Sequence, residues 1–305
     1  MRILVTGAAG FVGYAVAARL VQQGHSVTGL TRSSGRALPA GVRRHVGDLL
    51  DPATLPPGEF DAVCHLAGLA QVRESRGDPL RYWQTNTGGL LTLLGWLPTV
   101  GADRLIIAST CAVYGEPTRQ PIDETAPELP SNPYGASKLA ADRAAADYAA
   151  TGRVGATSLR ACNIAGAVPG RPDDEPGRLV PRLLATALGR APEFTVNGDG
   201  RVVRDYLHVA DMAAAFTLAL HACRPGRWHA YTVGSGRPTS IRDAIDAVER
   251  ITGRSIARRH GPAADEPAEL RADPTRISTE LGWQPVSSSI DTIVRDAWSA
   301  LDGVG

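Results

Sequence analysis

The chain has almost no net charge, few cysteines and no long apolar run. Lys and Arg number 32 against 31 Asp and Glu, and the basic residues are not massed in a block. That removes the electrostatic footprint a nucleic-acid backbone requires, so no nucleic-acid partner is expected. The four cysteines, Cys64, Cys111, Cys162 and Cys223, stand far apart without a C-x-x-C pair. Neither a zinc site nor a disulfide framework is therefore expected, and no metal is assigned. Three of the four fall in apolar, strand-like runs and are expected to be buried. No stretch reaches the ~18 apolar residues of a membrane span, so no membrane partner is expected. Met1-Arg2-Ile3-Leu4-Val5-Thr6-Gly7 enters a strand pattern directly, without the series of a signal peptide. These absences predict a reduced, soluble, cytoplasmic protein.

What is present is an ordinary globular composition: 43% hydrophobic, 21% charged, with 33 Gly and 22 Pro spread along 305 residues. That length suits one large α/β unit or two domains sharing a cleft. Strand patterns fall at Arg2–Thr6, Ser26–Leu30, Arg43–Val46, Ala62–Leu66, Arg104–Ser109 and Thr157–Cys162. Helical spacing lies between them at Val12–Gln23, Asn86–Leu97 and Ala136–Ala149. The alternation predicts a doubly wound parallel sheet. From Gly166 a Gly/Pro/Asp-rich loop breaks the rhythm, followed by a helix at Leu179–Gly189. Beyond it come strands at Arg204–His208 and Ala230–Val233 and helices at Asp211–His221, Ile241–Thr252 and Ile290–Leu301. The predicted division is 1–165 with about 201–222 as the larger domain, and 166–200 with 223–305 as a smaller lobe.

Gly7-Ala8-Ala9-Gly10-Phe11-Val12-Gly13 ends the first strand and opens the first helix. Glycines there allow a tight turn and close approach of a pyrophosphate to free N–H groups at the helix N-terminus, which predicts a dinucleotide site. After the second strand stand Thr31-Arg32-Ser33-Ser34, where a carboxylate would mark NAD. A guanidinium and hydroxyls suit a 2′-phosphate, so NADP stays open beside NAD. Tyr134-Gly135-Ala136-Ser137-Lys138 sets a phenol and an ammonium one helical turn apart. A nearby positive charge favours phenolate despite an ordinary pKa of ~10, making Tyr134 a proton acceptor. Thr110, at the end of the fifth strand, is placed to hydrogen-bond the same substrate oxygen.

These residues resemble the extended short-chain dehydrogenase/reductase superfamily, and within it the UDP-glucose 4-epimerase group. Matching segments include Gly47-Asp48-Leu49, His65-Leu66-Ala67-Gly68-Leu69, Asn86-Thr87-Gly88-Gly89, Ser109–Gly115, Leu159–Asn163, Val203–Val209 and Glu280–Pro285. The resemblance implies a Rossmann-type sheet with a smaller C-terminal α/β substrate lobe. It implies a cofactor site of Gly7, Gly10, Phe11, Val12, Gly13, Thr31, Arg32, Ser33, Asp48, Leu49, Leu66, Ala67, Gly68, Asn86, Ser109, Tyr134 and Lys138. It gives Thr110, Asn163, Leu179, Phe194, Val196, Arg204 and Arg259 to a sugar nucleotide, UDP-hexose first, and treats His208 as structural.

Three departures shape the expectation. Cys111-Ala112 follows Thr110 where family dehydratases carry an Asp-Glu pair, which argues against 4,6-dehydration. Ala70 stands where many epimerases place a lysine, and Asn197 where an aromatic often meets uracil. The implied reaction is 4-epimerisation through a transient 4-keto sugar. The alternatives are an NADPH-dependent 4-keto-sugar reductase and, from another class, a catalytically silent NADP-binding regulator. A homodimer through helices near Asn86–Leu97 and Ala136–Ala149 is expected by analogy.

Overall fold

The computed structural model describes residues 1–264 and 266–302. Six short runs form strands β1 (Arg2–Thr6), β2 (Ser26–Thr31), β3 (Arg43–Val46), β4 (Ala62–His65), β5 (Arg104–Thr110) and β6 (Gly155–Ala161). Helices α1 (Phe11–Gln22), α2 (Val72–Gly77), α3 (Pro79–Tyr82), α4 (Gly89–Trp96) and α5 (Pro133–Ala150) connect them. There follow β7 (Asn163–Ala165), β8 (Ala167–Val168), β9 (Arg171–Pro172), α6 (Leu179–Ala187), β10 (Phe194–Asn197), β11 (Val203–Arg204) and β12 (Tyr206–His208). The chain ends with α7 (Val209–Ala222), β13 (Trp228–Val233), β14 (Thr239–Ser240), α8 (Ile241–Thr252), β15 (Arg258–Gly261), β16 (Glu269–Leu270), α9 (Thr275–Leu281) and α10 (Ile290–Asp302).

One seven-stranded sheet, in the order β13-β6-β5-β4-β1-β2-β3, is parallel throughout. A parallel sheet must be covered on both faces. Val16 and Leu20 of α1 with Phe216 and Leu220 of α7 cover one face. Leu90, Leu93 and Leu94 of α4 with Ala141 and Ala145 of α5 cover the other. Each fully buried large apolar side chain contributes roughly 1.5–3 kcal/mol. A second core, including Leu183, Leu184, Phe194, Ile245, Val248 and Ile293, joins α6, α8 and α10 in the smaller lobe. The doubly wound sheet read from the alternation is therefore present.

Three expectations are corrected. The strand at Trp228–Val233 belongs to the large sheet, pairing in parallel with β6 from Ala156 to Ala161, so 223–305 does not all lie in the smaller lobe. Helix α7 packs beside α1 and returns the chain to the sheet edge, and Ile277 and Trp283 join the same core. The predicted strand Arg204–His208 is broken at Asp205, whose buried carboxylate accepts from Ser235 N (2.7 Å), Ser235 Oγ (2.6 Å) and Gly236 N (2.9 Å). Val203–Arg204 pairs with β14 and β16, while Tyr206–His208 pairs with β7. Finally, the helix predicted from Asn86 begins at Pro79, capped by Asp78, and widens into a π-helical turn over Trp83–Gly88 before α4. Such widened turns concentrate at functional sites.

Cys64 and Cys223 are buried, whereas Cys111 and Cys162 are only half-buried because each stands one residue beyond a strand end. Among the described residues no helix is long and apolar enough to cross a membrane, and no group of three His, Cys, Asp or Glu is placed to hold a metal.

Candidate active site

From β1 the strand order runs one way through β2 and β3 and the other way through β4 and β5, which opens a crevice beyond the strand ends. Gly7 turns there with φ +66°, and a Cβ on it would lie 2.8 Å from Ala67 N. A Cβ on Gly13 would lie 2.1 Å from Gly7 O. Gly10 N donates to Gly7 O at 2.9 Å and caps α1 with no side chain, and the first turn carries no acid. The N-terminal N–H groups of α1 and its positive dipole end are thus left for an anion. Phe11 and Val12 are half-buried in this first turn.

The opposite wall is the loop after β4. Thr6 Oγ1 accepts from Leu66 N and Ala67 N, both at 3.1 Å, and bonds His65 Nδ1 at 2.9 Å. Burial pushes His65 down to about 3, so it stays neutral. A Cβ on Gly68 would meet Asn86 Oδ1 at 2.8 Å and Lys138 Nζ at 3.1 Å. Cradles closed to side chains, facing an uncapped helix start, fit a dinucleotide.

Some side chains expected along the cofactor are committed to the protein. Asn86 is 1% exposed; it accepts from Leu69 N (2.8 Å) and donates to Leu69 O (3.1 Å) and Ser137 Oγ (3.0 Å). The π-helical turn carries it inward as a bolt between the loop and α5. Leu49 is buried in the core, and Asp48 Oδ1 accepts from Leu50 N at 2.9 Å. Thr31 is buried and accepts from Arg44 at 3.0 Å, while Arg32 and Ser33 are exposed at the rim. Sequence reasoning missed Arg44; its only signal is register, since β3 pairs it with Gly29.

Helix α5 starts with Asn132 accepting from Gly135 N at 2.9 Å and Pro133 in its first turn, the N-terminal pairing the geometry favours. This puts Tyr134 at the mouth of the crevice and Lys138 one turn deeper. Burial pushes the Tyr134 phenol up; the Thr110 hydroxyl and the Arg178 guanidinium pull it back. The Arg178 guanidinium is a cation beside Tyr134 that the sequence reading did not include. Lys138 Nζ donates to Ala108 O at 3.0 Å. Burial lowers Lys138 to about 8, against the pull of Asp142.

Asp142, one turn beyond Lys138, anchors the floor. It accepts from Ser109 Oγ (3.1 Å), Ser158 Oγ (2.8 Å) and Arg160 Nε (3.0 Å). Ser109 was expected at the cofactor; its hydroxyl is taken by this carboxylate. Arg160 also donates to Tyr114 OH (3.1 Å) and pairs with Glu128 (2.8 Å). Asp142 and Arg160 went unread, although i+4 spacing from Lys138 places Asp142 on the same helix face. Thr110 is buried at 8%, and its Oγ1 accepts from Ala112 N at 3.1 Å.

On the side of the cleft that faces the smaller lobe Asn163 is exposed, its Nδ2 donating to Asp205 O at 3.3 Å. A cleft of about 150 Å³ is lined by Leu179, Arg182, Thr195, Asn197 and Glu266. Phe194 also borders it but is core, beneath the Arg182 guanidinium at 4.8 Å, and Val196 is buried beside it. Arg204 donates to Val203 O (2.8 Å) and Pro267 O (2.9 Å) and pairs with Glu266, so its guanidinium is already engaged. Arg259 is an exposed residue of β15, opposite Thr195 and paired with Glu193. Arg178 was not anticipated, yet it pairs with Asp173 at 2.9 Å and sits 5.4 Å over the Phe11 ring. It links the glycine turn, Tyr134 and the lobe. His208 is structural as read, accepting from Ala210 N at 3.0 Å and pairing with Asp296 at 3.2 Å.

Comparison with known proteins agrees with this architecture. The chain is 38% identical over 319 residues to a UDP-glucose 4-epimerase of Corynebacterium glutamicum, covering 100% of this chain and 97% of that protein. It is 39% identical to a UDP-glucose 4-epimerase of Streptomyces lividans, covering 97% and 95%. The crystal structure of UDP-glucose 4-epimerase from Brucella ovis in complex with NAD superposes with a TM-score of 0.90 at 35% identity, covering 98% and 97%. Residues 3–234 match the family model described as NAD dependent epimerase/dehydratase. With its glycine cradle, its Thr110, Tyr134 and Lys138 set and this likeness over the whole length, the chain belongs to the NAD-dependent epimerase/dehydratase family.

Proposed function

We propose that the protein is an NAD-dependent UDP-hexose 4-epimerase. The observation that carries the reading is the convergence of Thr110, Tyr134 and Lys138 on the crevice whose other wall is the glycine cradle. Residues 1–165, 201–222 and 228–233 take the dinucleotide. The segment 166–200 and most of the C-terminal part take the sugar nucleotide.

Tyr134 removes the proton from the sugar 4-hydroxyl, and the Thr110 hydroxyl aligns that oxygen. The Arg178 and Lys138 cations favour the phenolate that this transfer needs. NAD held at the glycine cradle would supply a hydride acceptor and donor for C4 that is regenerated within each turnover. Arg178, Arg204 and Arg259 supply positive charge for the diphosphate, and Asn163 offers an exposed amide to the sugar. Exposed Leu80, Trp83 and Leu91 on the helical segment around α3 and α4 support a homodimer through that face. Light scattering on the purified chain reads its mass directly.

The test is to incubate purified protein with UDP-galactose and no added cofactor, separate the sugars, and denature a sample to identify the released nucleotide. UDP-glucose formation with released NAD is the expected result. An absence of interconversion, with NADPH-dependent reduction of a nucleotide 4-keto sugar, would replace the epimerase by a reductase.

A further inference from the structure

We propose that Cys111 and Cys162 form a peroxide-sensitive thiol pair on the floor of the cleft, and that its closure to a disulfide arrests turnover. Thr110 and Ala161 are register partners on the parallel strands β5 and β6, and each strand is followed by a cysteine. The Cys162 thiol donates to Cys111 Sγ at 3.1 Å, and the Cys111 thiol donates to Arg160 O at 3.2 Å. Neighbouring strands lie about 4.8 Å apart, inside the ~4.4–6.8 Å between Cα atoms that a disulfide spans. Cys111 and Cys162 are half-buried residues just beyond the strand ends at the cleft, whereas Cys64 and Cys223 are sealed in the core.

The hydrogen bond to Cys111 and burial push the Cys162 thiol up, and Cys111, the acceptor of that bond, is the sulfur that attacks first. Cys111 sulfur displaces hydroxide from hydrogen peroxide and becomes a sulfenic acid, its proton leaving with the hydroxide as water. Cys162 sulfur then displaces the sulfenic oxygen as a second water. Two thiols are oxidised, one peroxide is reduced, and two waters leave. Thr110 precedes Cys111 and Asn163 follows Cys162, so drawing the sulfurs together moves residues on both the catalytic and the sugar side. A misplacement of about 1 Å is enough to cost about a hundredfold in rate.

The loss of turnover rests on the epimerase reading; formation of the bond does not. NAD-loaded protein is titrated with hydrogen peroxide and followed by intact mass, non-reducing peptide mapping and epimerase assay. The expected result is loss of two hydrogens, a Cys111–Cys162 cross-linked peptide, a fall in activity of at least about tenfold, and recovery with a phosphine reductant. Cys111→Ser keeps its own untreated activity after peroxide and Cys162→Ser yields no cross-linked peptide, while Cys223→Ser loses activity as the parent does. Absence of the cross-linked peptide overturns the pair whether or not the protein epimerises. A cross-link with undiminished activity overturns the switch, and inactivation shared by Cys111→Ser assigns it to another residue.

Discussion

The two sides of the cleft present polar groups of different kinds. On the dinucleotide side the donors are backbone N–H groups at glycines that a Cβ would overfill, and the nearby polar side chains of Thr6, Asn86 and Ser109 already bond to protein. On the sugar side the groups are guanidiniums in ion pairs, Arg178 with Asp173, Arg204 with Glu266 and Arg259 with Glu193. The first side is preorganised and gains little by moving. Under the proposed function the second trades a carboxylate for a phosphate when ligand enters, which costs the ion pair. Rigid and exchangeable halves therefore meet at Tyr134, whose phenol feels Thr110 from one and Arg178 from the other.

The largest expected effect is at that meeting point. Tyr134→Phe should lower kcat by about 10²–10⁴-fold while the purified protein still carries NAD; turnover within a few-fold of the parent removes Tyr134 from the chemistry. Next comes the rigid side. Gly13→Ala places a Cβ 2.1 Å from Gly7 O and should cost roughly 2–4 kcal/mol of stability together with the bound nucleotide. Thermal melts and nucleotide release measure both, and an unchanged melt with NAD retained would mean that the cradle is not closed.

Lys138 gives a third, smaller test with a definite sign. Its native pKa of about 8 lies below the ordinary value near 10.5, so the buried ammonium penalises the native state fully below pH 8. As pH rises from about 8 towards 10.5 the native state sheds the proton first, and stability of the NAD-free protein should rise. Lys138→Met should flatten that rise and stabilise the NAD-free chain by on the order of 1–3 kcal/mol, while removing activity. A parallel slope in denaturant titrations of both proteins would refute the assignment. The smallest effect belongs to the exchangeable side: Glu266→Gln frees Arg204 and should lower KM for UDP-hexose by about two- to fivefold with kcat unchanged, the scale of a partly exposed ion pair.

The course of the main sheet, the glycine turn and the Tyr134/Lys138 spacing were legible in the sequence, because each is a local pattern whose meaning survives without its neighbours. Strand β13 was misplaced because nothing in Trp228–Val233 says which sheet edge it will meet; α7 packing against α1 decides that. Arg178 was missed for the same reason. It sits in the loop before α6, and only the closure of the smaller lobe brings it to Phe11 and Tyr134.

What the chain determined by itself is the periodicity of its elements and the backbone freedom of its glycines, both properties of short segments. Only the tertiary structure decided which polar groups remain available. Ser109 was turned to Asp142, Asn86 to Leu69 and Arg204 to Glu266 by partners 33, 17 and 62 residues away. Each buried or half-buried donor takes the nearest acceptor that packing supplies, because leaving it unpaired costs about 1–3 kcal/mol, and sequence spacing does not encode that neighbour.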